Sequence, residues 1–102
     1  MTRIQHMVLF EFKPGTTEST INGIFEELSG LQSLCPGIIH FAGGAYSSPE
    51  CMNRTFTHGF LMTFDSAENR DIYLPHPEHE RVKALIDPHL ENVIAFDCED
   101  ES

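Results

Sequence analysis

The segment from Arg3 to Lys13 alternates in polarity like a strand, yet both of its faces are largely apolar. The two alternating sets are Ile4, His6, Val8, Phe10 and Phe12 on one face and Met7 and Leu9 on the other. A strand of this kind needs an apolar cover on each side of its sheet. This requirement restricts the fold more than any other feature of the chain.

Helical periodicity and capping residues predict three helices. Thr16-Thr17 supplies an N-cap for the first, whose apolar stripe contains Ile21, Ile24, Phe25, Leu28 and Leu31. Ser66 caps a second helix that runs to about Leu74, and Pro77 suits the first position of a third helix that runs to about Ile86.

Further strands are predicted over residues 38–46, 55–64 and 92–98, with Gly43-Gly44 indicating a bulge or a close approach. The resulting order is β-α-β-β-α-α-β. It predicts an α+β, ferredoxin-like fold, with one antiparallel sheet and the helices on one of its faces.

Helices on one side leave the face with Met7, Leu9 and Leu61 uncovered. A second copy packed face to face would bury this surface, so we expect a homodimer. The alternative is a stable monomer with an apolar surface.

The length of 102 residues predicts a single domain over residues 1–102. Sixteen acidic against six basic residues give a formal charge of -10, which disfavours nucleic acid and anionic membranes as partners. Three cysteines without a CxxC pair indicate free thiols in a reducing compartment. With no signal pattern and no apolar run of about 20 residues, the expected location is cytoplasmic.

Residues 73–79 (YLPHPEH) are the densest group of polar and aromatic side chains. If Pro77 opens a helix, His79 lies in its first turn, where the helix dipole favours the neutral imidazole. A neutral His79 beside the Tyr73 phenol suits acid–base chemistry on an enolisable carbonyl. Alternatively, His76 and Pro77 only shape the turn, while Tyr73 and His79 fill a half-polar boundary.

His6 and His58 each lie in an apolar strand register, where they either line a cavity or are satisfied core histidines. An alternative is a metal site, since His76 and His79 have a spacing found in such sites and His6 or His58 could complete the set. Because Pro77 argues against a shared helical face, we predict no metal. We also predict no cofactor, because the chain has no nucleotide-binding motif.

Four segments resemble the stress-responsive A/B barrel (Dabb) family: residues 6–13 (HMVLFEFK), 57–59 (THG), 73–79 (YLPHPEH) and 92–97 (NVIAFD). The resemblance implies a dimeric α+β barrel in which two sheets enclose an apolar interior. In the olivetolic acid cyclase branch, a Tyr and a His matched by Tyr73 and His79 act on a linear tetraketide. Leu28 and Leu90 stand where that branch has aromatic pocket residues, which implies a pocket of different shape.

Two classes of function follow. The first is a cofactor-independent cyclase, isomerase or lyase for a small apolar, polyketide-like carbonyl compound, with His79 as base and Tyr73 as the orienting phenol. The second is a non-catalytic, stress-related or ligand-binding homodimer; a cofactor-free monooxygenase is a third option. The predicted substrate-binding residues are His6, Val8, Phe10, Phe25, Leu28, His58, Phe60 and Leu90.

Overall fold

The fold, which a computed structural model describes for residues 2–101, follows the predicted order of strands and helices. Its regular elements are β1 (Thr2–Phe12), α1 (Glu18–Gly30), β2 (Ile38–Ala45), β3 (His58–Phe64), α2 (Ala67–Tyr73), α3 (Pro77–Ile86) and β4 (Leu90–Glu101). Short 3-10 turns, Leu31–Ser33 and Asp87–His89, follow α1 and α3. The ferredoxin-like α+β prediction is therefore confirmed.

The helices begin at residues whose side chains bind the first free backbone amides. Thr17 accepts a hydrogen bond from the Thr20 amide, and Ser66 accepts one from the Asn69 amide. His76 caps α3 with its imidazole, since Nδ1 accepts from the Glu78 amide. Pro77 then occupies the first turn of α3 as predicted.

The strands form one antiparallel sheet in the order β2-β3-β1-β4, so β1 lies in its interior. The third strand begins at His58 rather than at residue 55, and the last strand is longer than predicted at both ends. β4 pairs with β1 from Phe12 opposite Leu90 to Thr2 opposite Glu101. The acidic tail is drawn into the sheet because β1 offers it hydrogen-bonding partners along its whole length.

The helices cover one face of the sheet, here called the helix face. The core that they form with it contains Ile4, Val8, Phe10, Ile24, Leu28, Leu31, Phe60, Met62, Phe64, Tyr73, Val82 and Ile86. Gly43 of β2 allows a close approach, because a Cβ there would lie 2.9 Å from both Phe25 and Phe60. The irregular pairing of β2 lies elsewhere, between Ile38 and His40.

The opposite face of the sheet is uncovered. This surface, here called the open face, carries five large apolar side chains: Met7, Leu9, Leu61, Ile94 and Phe96. The strand register makes these side chains neighbours, since Met7 lies opposite both Leu61 and Phe96 and Leu9 lies opposite Ile94. Phe96 is 61% exposed. Within residues 2–101, no helix is long and apolar enough to cross a membrane.

Candidate active site

A cavity of about 240 Å³ lies between the helices and the helix face of the sheet. Its walls come from six elements, since β1, α1, β3, α2, α3 and β4 all contribute side chains. The lining is mostly apolar, with His6, Tyr73 and His79 placed within it. A largely apolar cavity with a few placed polar groups is the usual form of a small-molecule site.

The Tyr73 and His79 rings are stacked, with centroids 4.0 Å apart and planes 23° apart. α2 ends at Tyr73, and the break before Pro77 turns the chain so that the first turn of α3 places His79 over the phenol ring. Nδ1 of His79 lies 3.0 Å from the Leu74 carbonyl oxygen. Because a carbonyl oxygen only accepts, Nδ1 carries the proton and the neutral ring keeps Nε2 as a proton acceptor.

Burial shifts the acid–base properties of both rings. Burial is the largest cause that lowers the pKa of His79 below 6.5, and the nearby Lys83 charge acts in the same direction. Burial raises the pKa of Tyr73, with smaller contributions from Cys35 and Asp97. Near neutral pH the pair is therefore an unprotonated imidazole next to a protonated phenol.

The Tyr73 hydroxyl is buried without a hydrogen-bond partner among the described residues. The side chain is 1% exposed, so bulk water does not reach it. A buried, unpaired hydroxyl costs free energy and calls for an explanation. A polar atom of a ligand in the adjoining cavity would provide the missing partner.

His6 is the second histidine of the cavity, and it is 6% exposed. Its Nδ1 lies 2.5 Å from Oδ1 of Asp97, whose Oδ2 accepts a hydrogen bond of 2.9 Å from Nη1 of Arg70. The His6 ring also lies 6.0 Å from the Tyr73 ring at a steep angle of 70°. Tyr73 thus contacts both cavity histidines.

Asp97 and Arg70 are functional candidates that sequence reasoning missed. No local sequence pattern marks Asp97 as a partner of His6, because the two residues meet only through the antiparallel register of β1 and β4. Arg70 reaches Asp97 from α2, far away in the sequence. Other lining residues that were not predicted are Leu74, Val82, Lys83, Ile86, Asp87, Val93 and Ala95.

The structure divides the predicted substrate-binding residues into two groups. Those that line the cavity with Tyr73 and His79 are His6, Val8, Phe10, Leu28, Phe60 and Leu90. Phe25 and His58 lie outside its lining and contact each other, with ring centroids 6.0 Å apart. The His58 ring also packs against Phe12 and forms a 2.8 Å hydrogen bond with the Thr57 hydroxyl.

The histidines proposed above as an alternative metal site have other partners. His76 uses Nδ1 as the cap of α3, and His79 uses Nδ1 on Leu74. Across the described part of the chain, no three His, Cys, Asp or Glu side chains are grouped so that they could hold a metal ion.

A larger depression of about 610 Å³ is lined by Met7, Leu9 and Leu61 of the open face and by side chains of the loop before β3 such as Met52 and Phe56. The lining of this depression also includes His58 and Phe60. It contains neither Tyr73 nor His79, so we place the candidate chemistry in the smaller cavity.

Comparison with protein families matches residues 4–100 to the stress-responsive A/B barrel domain, Dabb. A stress-response A/B barrel domain-containing protein, HS1 of Arabidopsis thaliana, is 28% identical over 92% of this chain and 86% of its own length. Olivetolic acid cyclase of Cannabis sativa is 23% identical, over 92% of this chain and 93% of its own length.

The solved structures that share the fold include the following three. The crystal structure of At3g17210 from Arabidopsis thaliana has a TM-score of 0.89 and 27% identity, covering 97% of this chain and 96% of its own. The hydroxynitrile lyase of Passiflora edulis has a TM-score of 0.86 and 20% identity, covering 97% and 94%. A dimeric ferredoxin-like protein of unknown function from Jannaschia has a TM-score of 0.79 and 26% identity, covering 96% and 99%.

Proposed function

The chain belongs to the stress-responsive A/B barrel domain family, and from this premise we propose that it is a cofactor-independent enzyme. It would act by acid–base chemistry on a small, largely apolar carbonyl compound. The observation that carries the proposal is the stacked Tyr73–His79 pair at the wall of a cavity that has room for a ligand. An unprotonated imidazole and a protonated phenol in one low-polarity space are the two groups that an enolisation requires.

The roles follow from the hydrogen bonds of the two rings. His79 is anchored to the Leu74 carbonyl through Nδ1, so Nε2 removes the acidic proton. The Tyr73 hydroxyl, which has no partner within residues 2–101, donates to the carbonyl oxygen on which negative charge develops. The apolar walls strengthen both interactions because they exclude water.

The cavity size restricts the substrate. Its volume of about 240 Å³ lies just below the range of roughly 300–1,000 Å³ typical of ligand pockets. We therefore expect a compound no larger than a substituted single ring or a short chain. Leu28 and Leu90 form part of this wall, so truncation of either side chain should widen the pocket.

Two relatives support the reaction class by their names, a cyclase and a hydroxynitrile lyase. Cleaving a hydroxynitrile to a carbonyl compound needs removal of a hydroxyl proton, and carbon–carbon ring closure commonly begins with removal of a proton next to a carbonyl. Both steps need a positioned base, which His79 would supply.

Proton exchange in deuterated water tests the proposal without knowledge of the product. A panel of 1,3-diketones, aryl ketones and acetoacetate esters is incubated with the protein, and loss of the α-proton signal is followed by NMR. We expect exchange of at least one class, with a loss of about 10²–10⁴-fold in His79→Asn. His40→Asn, which removes an exposed imidazole outside the cavity, is the matched control.

Exchange that is equal in His79→Asn and in the wild type contradicts the assignment of the base. Cyanide release from aromatic hydroxynitriles is measured in parallel and tests the lyase form of the same chemistry.

We also infer that the chain forms a homodimer through its open face. The support is the uncovered apolar set that includes Leu9, Ile94 and Phe96, all more than 40% exposed. A related structure at 26% identity is described as dimeric. Light scattering coupled to size-exclusion chromatography tests the assignment, because a mass near one chain at micromolar concentration contradicts it.

A second candidate is a ligand-binding protein without turnover. The unpaired Tyr73 hydroxyl favours it equally, since binding alone would supply the missing partner. Thermal stabilisation by a carbonyl compound without proton exchange in the same sample distinguishes this candidate.

We propose a reducing compartment such as the cytoplasm for this chain, because Cys35, Cys51 and Cys98 are an odd set of cysteines without a CxxC pair.

A further inference from the structure

A chain of three charged or polar side chains leads from the outside of α2 to the cavity. Arg70 donates through Nη1 to Oδ2 of Asp97, and Oδ1 of Asp97 faces Nδ1 of His6. The side chains of Arg70 and Asp97 are 21% and 26% exposed, and that of His6 is 8% exposed. His6, at the cavity end of the chain, is therefore the most buried of the three side chains.

From this geometry we propose that Arg70 is a positioning residue: it holds the Asp97 carboxylate against His6, so that the neutral His6 ring carries its proton on Nδ1. Arg70 only donates hydrogen bonds, so it requires an oxygen of residue 97. Because residue 97 is an aspartate, the carboxylate atom that faces His6 is also an oxygen, and it only accepts hydrogen bonds. His6 must then donate from Nδ1, and Nε2 of the neutral ring stays free as an acceptor.

Besides the charged side chains of Lys83 and Asp87, the cavity wall then presents two fixed acceptors and one donor. Nδ1 of His79 is bound to Leu74, so both histidines keep Nε2 free, and the Tyr73 hydroxyl donates. The consequence for a substrate rests on the proposed function: the compound should carry a hydroxyl or enol proton for His6 besides the proton that His79 removes. The tautomer of His6 does not depend on any activity.

An alternative is that the Arg70–Asp97 pair only fastens α2 to β4. The two roles differ in what Asp97→Asn does. If Arg70 keeps the amide oxygen, the amide nitrogen faces His6 and donates to Nδ1, so the ring must carry its proton on Nε2. A swap of this kind at the carboxylate of a catalytic triad produces the wrong histidine tautomer.

The test is ¹⁵N NMR of the histidine side chains at about pH 8. We expect Nδ1–H for His6 in the wild type and Nε2–H in Asp97→Asn. In the double variant Arg70→Met/Asp97→Asn, the amide is free to turn, and Nδ1–H returns. A purely structural pair predicts no such restoration.

Nε2–H in the wild type, Nδ1–H in Asp97→Asn, or Nε2–H in the double variant each overturns the proposal. If the Asn variants do not fold, Arg70→Met alone decides: its His6 Nδ1–H should exchange with water faster than in the wild type, and equal exchange overturns the proposal. Expected tautomers without α-proton exchange of any substrate would refute the proposed enzyme but leave the role of Arg70 intact.

Discussion

The two faces of the central sheet use similar side chains for different purposes. Phe64 on the helix face is fully buried against Tyr73, with ring centroids 5.0 Å apart. Phe96 on the open face is 61% exposed. Hydrophobicity alone does not separate the two phenylalanines; the side on which the helices pack does. The helix face stabilises the protomer and forms the cavity, while the open face is available for assembly.

The largest expected effect comes from the same truncation made on each face. Phe64→Ala removes a buried ring and should lower the free energy of unfolding by about 3–5 kcal/mol. Phe96→Ala should change the stability of the protomer by no more than about 0.5 kcal/mol. Urea denaturation at several protein concentrations measures both effects. The loss of stability in Phe64→Ala should be the same at every concentration. A loss in Phe96→Ala larger than about 0.5 kcal/mol should appear only at concentrations where dimers form. Equal losses at low concentration would remove the distinction between the faces.

A charge on the open face should separate the protomers. Phe96→Glu would bury a carboxylate in an apolar interface at a cost of several kcal/mol, which weakens the dimer by about 100-fold or more. Sedimentation velocity measures the dissociation constant. Ile72→Glu is the matched control, since Ile72 is an exposed apolar residue of α2. Dimerisation of Phe96→Glu at wild-type strength would place the interface elsewhere.

The helix face should also make stability depend on pH. Burial holds the pKa of His79 below 6.5, so the folded state binds this proton less readily than the unfolded state does. The contribution of the neutral His79 to the free energy of unfolding is complete above pH 6.5. It is lost as the pH falls from 6.5 through the lower pKa that His79 has in the folded protein. His79→Gln should therefore flatten the fall in stability toward about pH 5, measured by urea denaturation across pH. His40→Gln, on the exposed side of β2, controls for the loss of one imidazole; identical curves for His79→Gln and the wild type would contradict the shift.

The smallest effect is expected at the Tyr73 hydroxyl. Tyr73→Phe removes a buried hydroxyl that has no partner in the described part of the chain, and it keeps the ring that packs on Phe64 and His79. The free energy of unfolding should stay constant or rise by about 1–2 kcal/mol, while carbonyl turnover or ligand binding falls. Thermal denaturation, with and without ligand, measures both. A clear loss of stability would show that the hydroxyl is satisfied within the protein.

Local patterns in the sequence were sufficient for the order of strands and helices and for most of their ends. Thr17 and Ser66 cap their helices, and Pro77 opens α3, because capping and fixed proline geometry act within one turn. The alternation along β1 likewise separated Val8 and Phe10 from Met7 and Leu9. These features depend on neighbours in the chain, and so they are readable from it.

The cavity depends on contacts between distant segments. Register placed Asp97 against His6, and the crossing of α2 over the sheet brought Arg70 to the same carboxylate. His58 and Phe25 share faces with cavity residues, yet they lie beyond its lining because the cavity occupies only part of the helix face. The acidic tail joined the sheet since β1 had free hydrogen-bonding groups along its length.

The sequence by itself determined the two-faced sheet, the three capped helices and the proximity of Tyr73 to His79, since all of these follow from periodicity and short-range geometry. Only the tertiary structure decided which histidines meet around Tyr73, what holds them and which apolar face is left open. The physical reason is that strand register and helix packing join residues far apart in the chain, and their pairing is selected by the burial of the whole core.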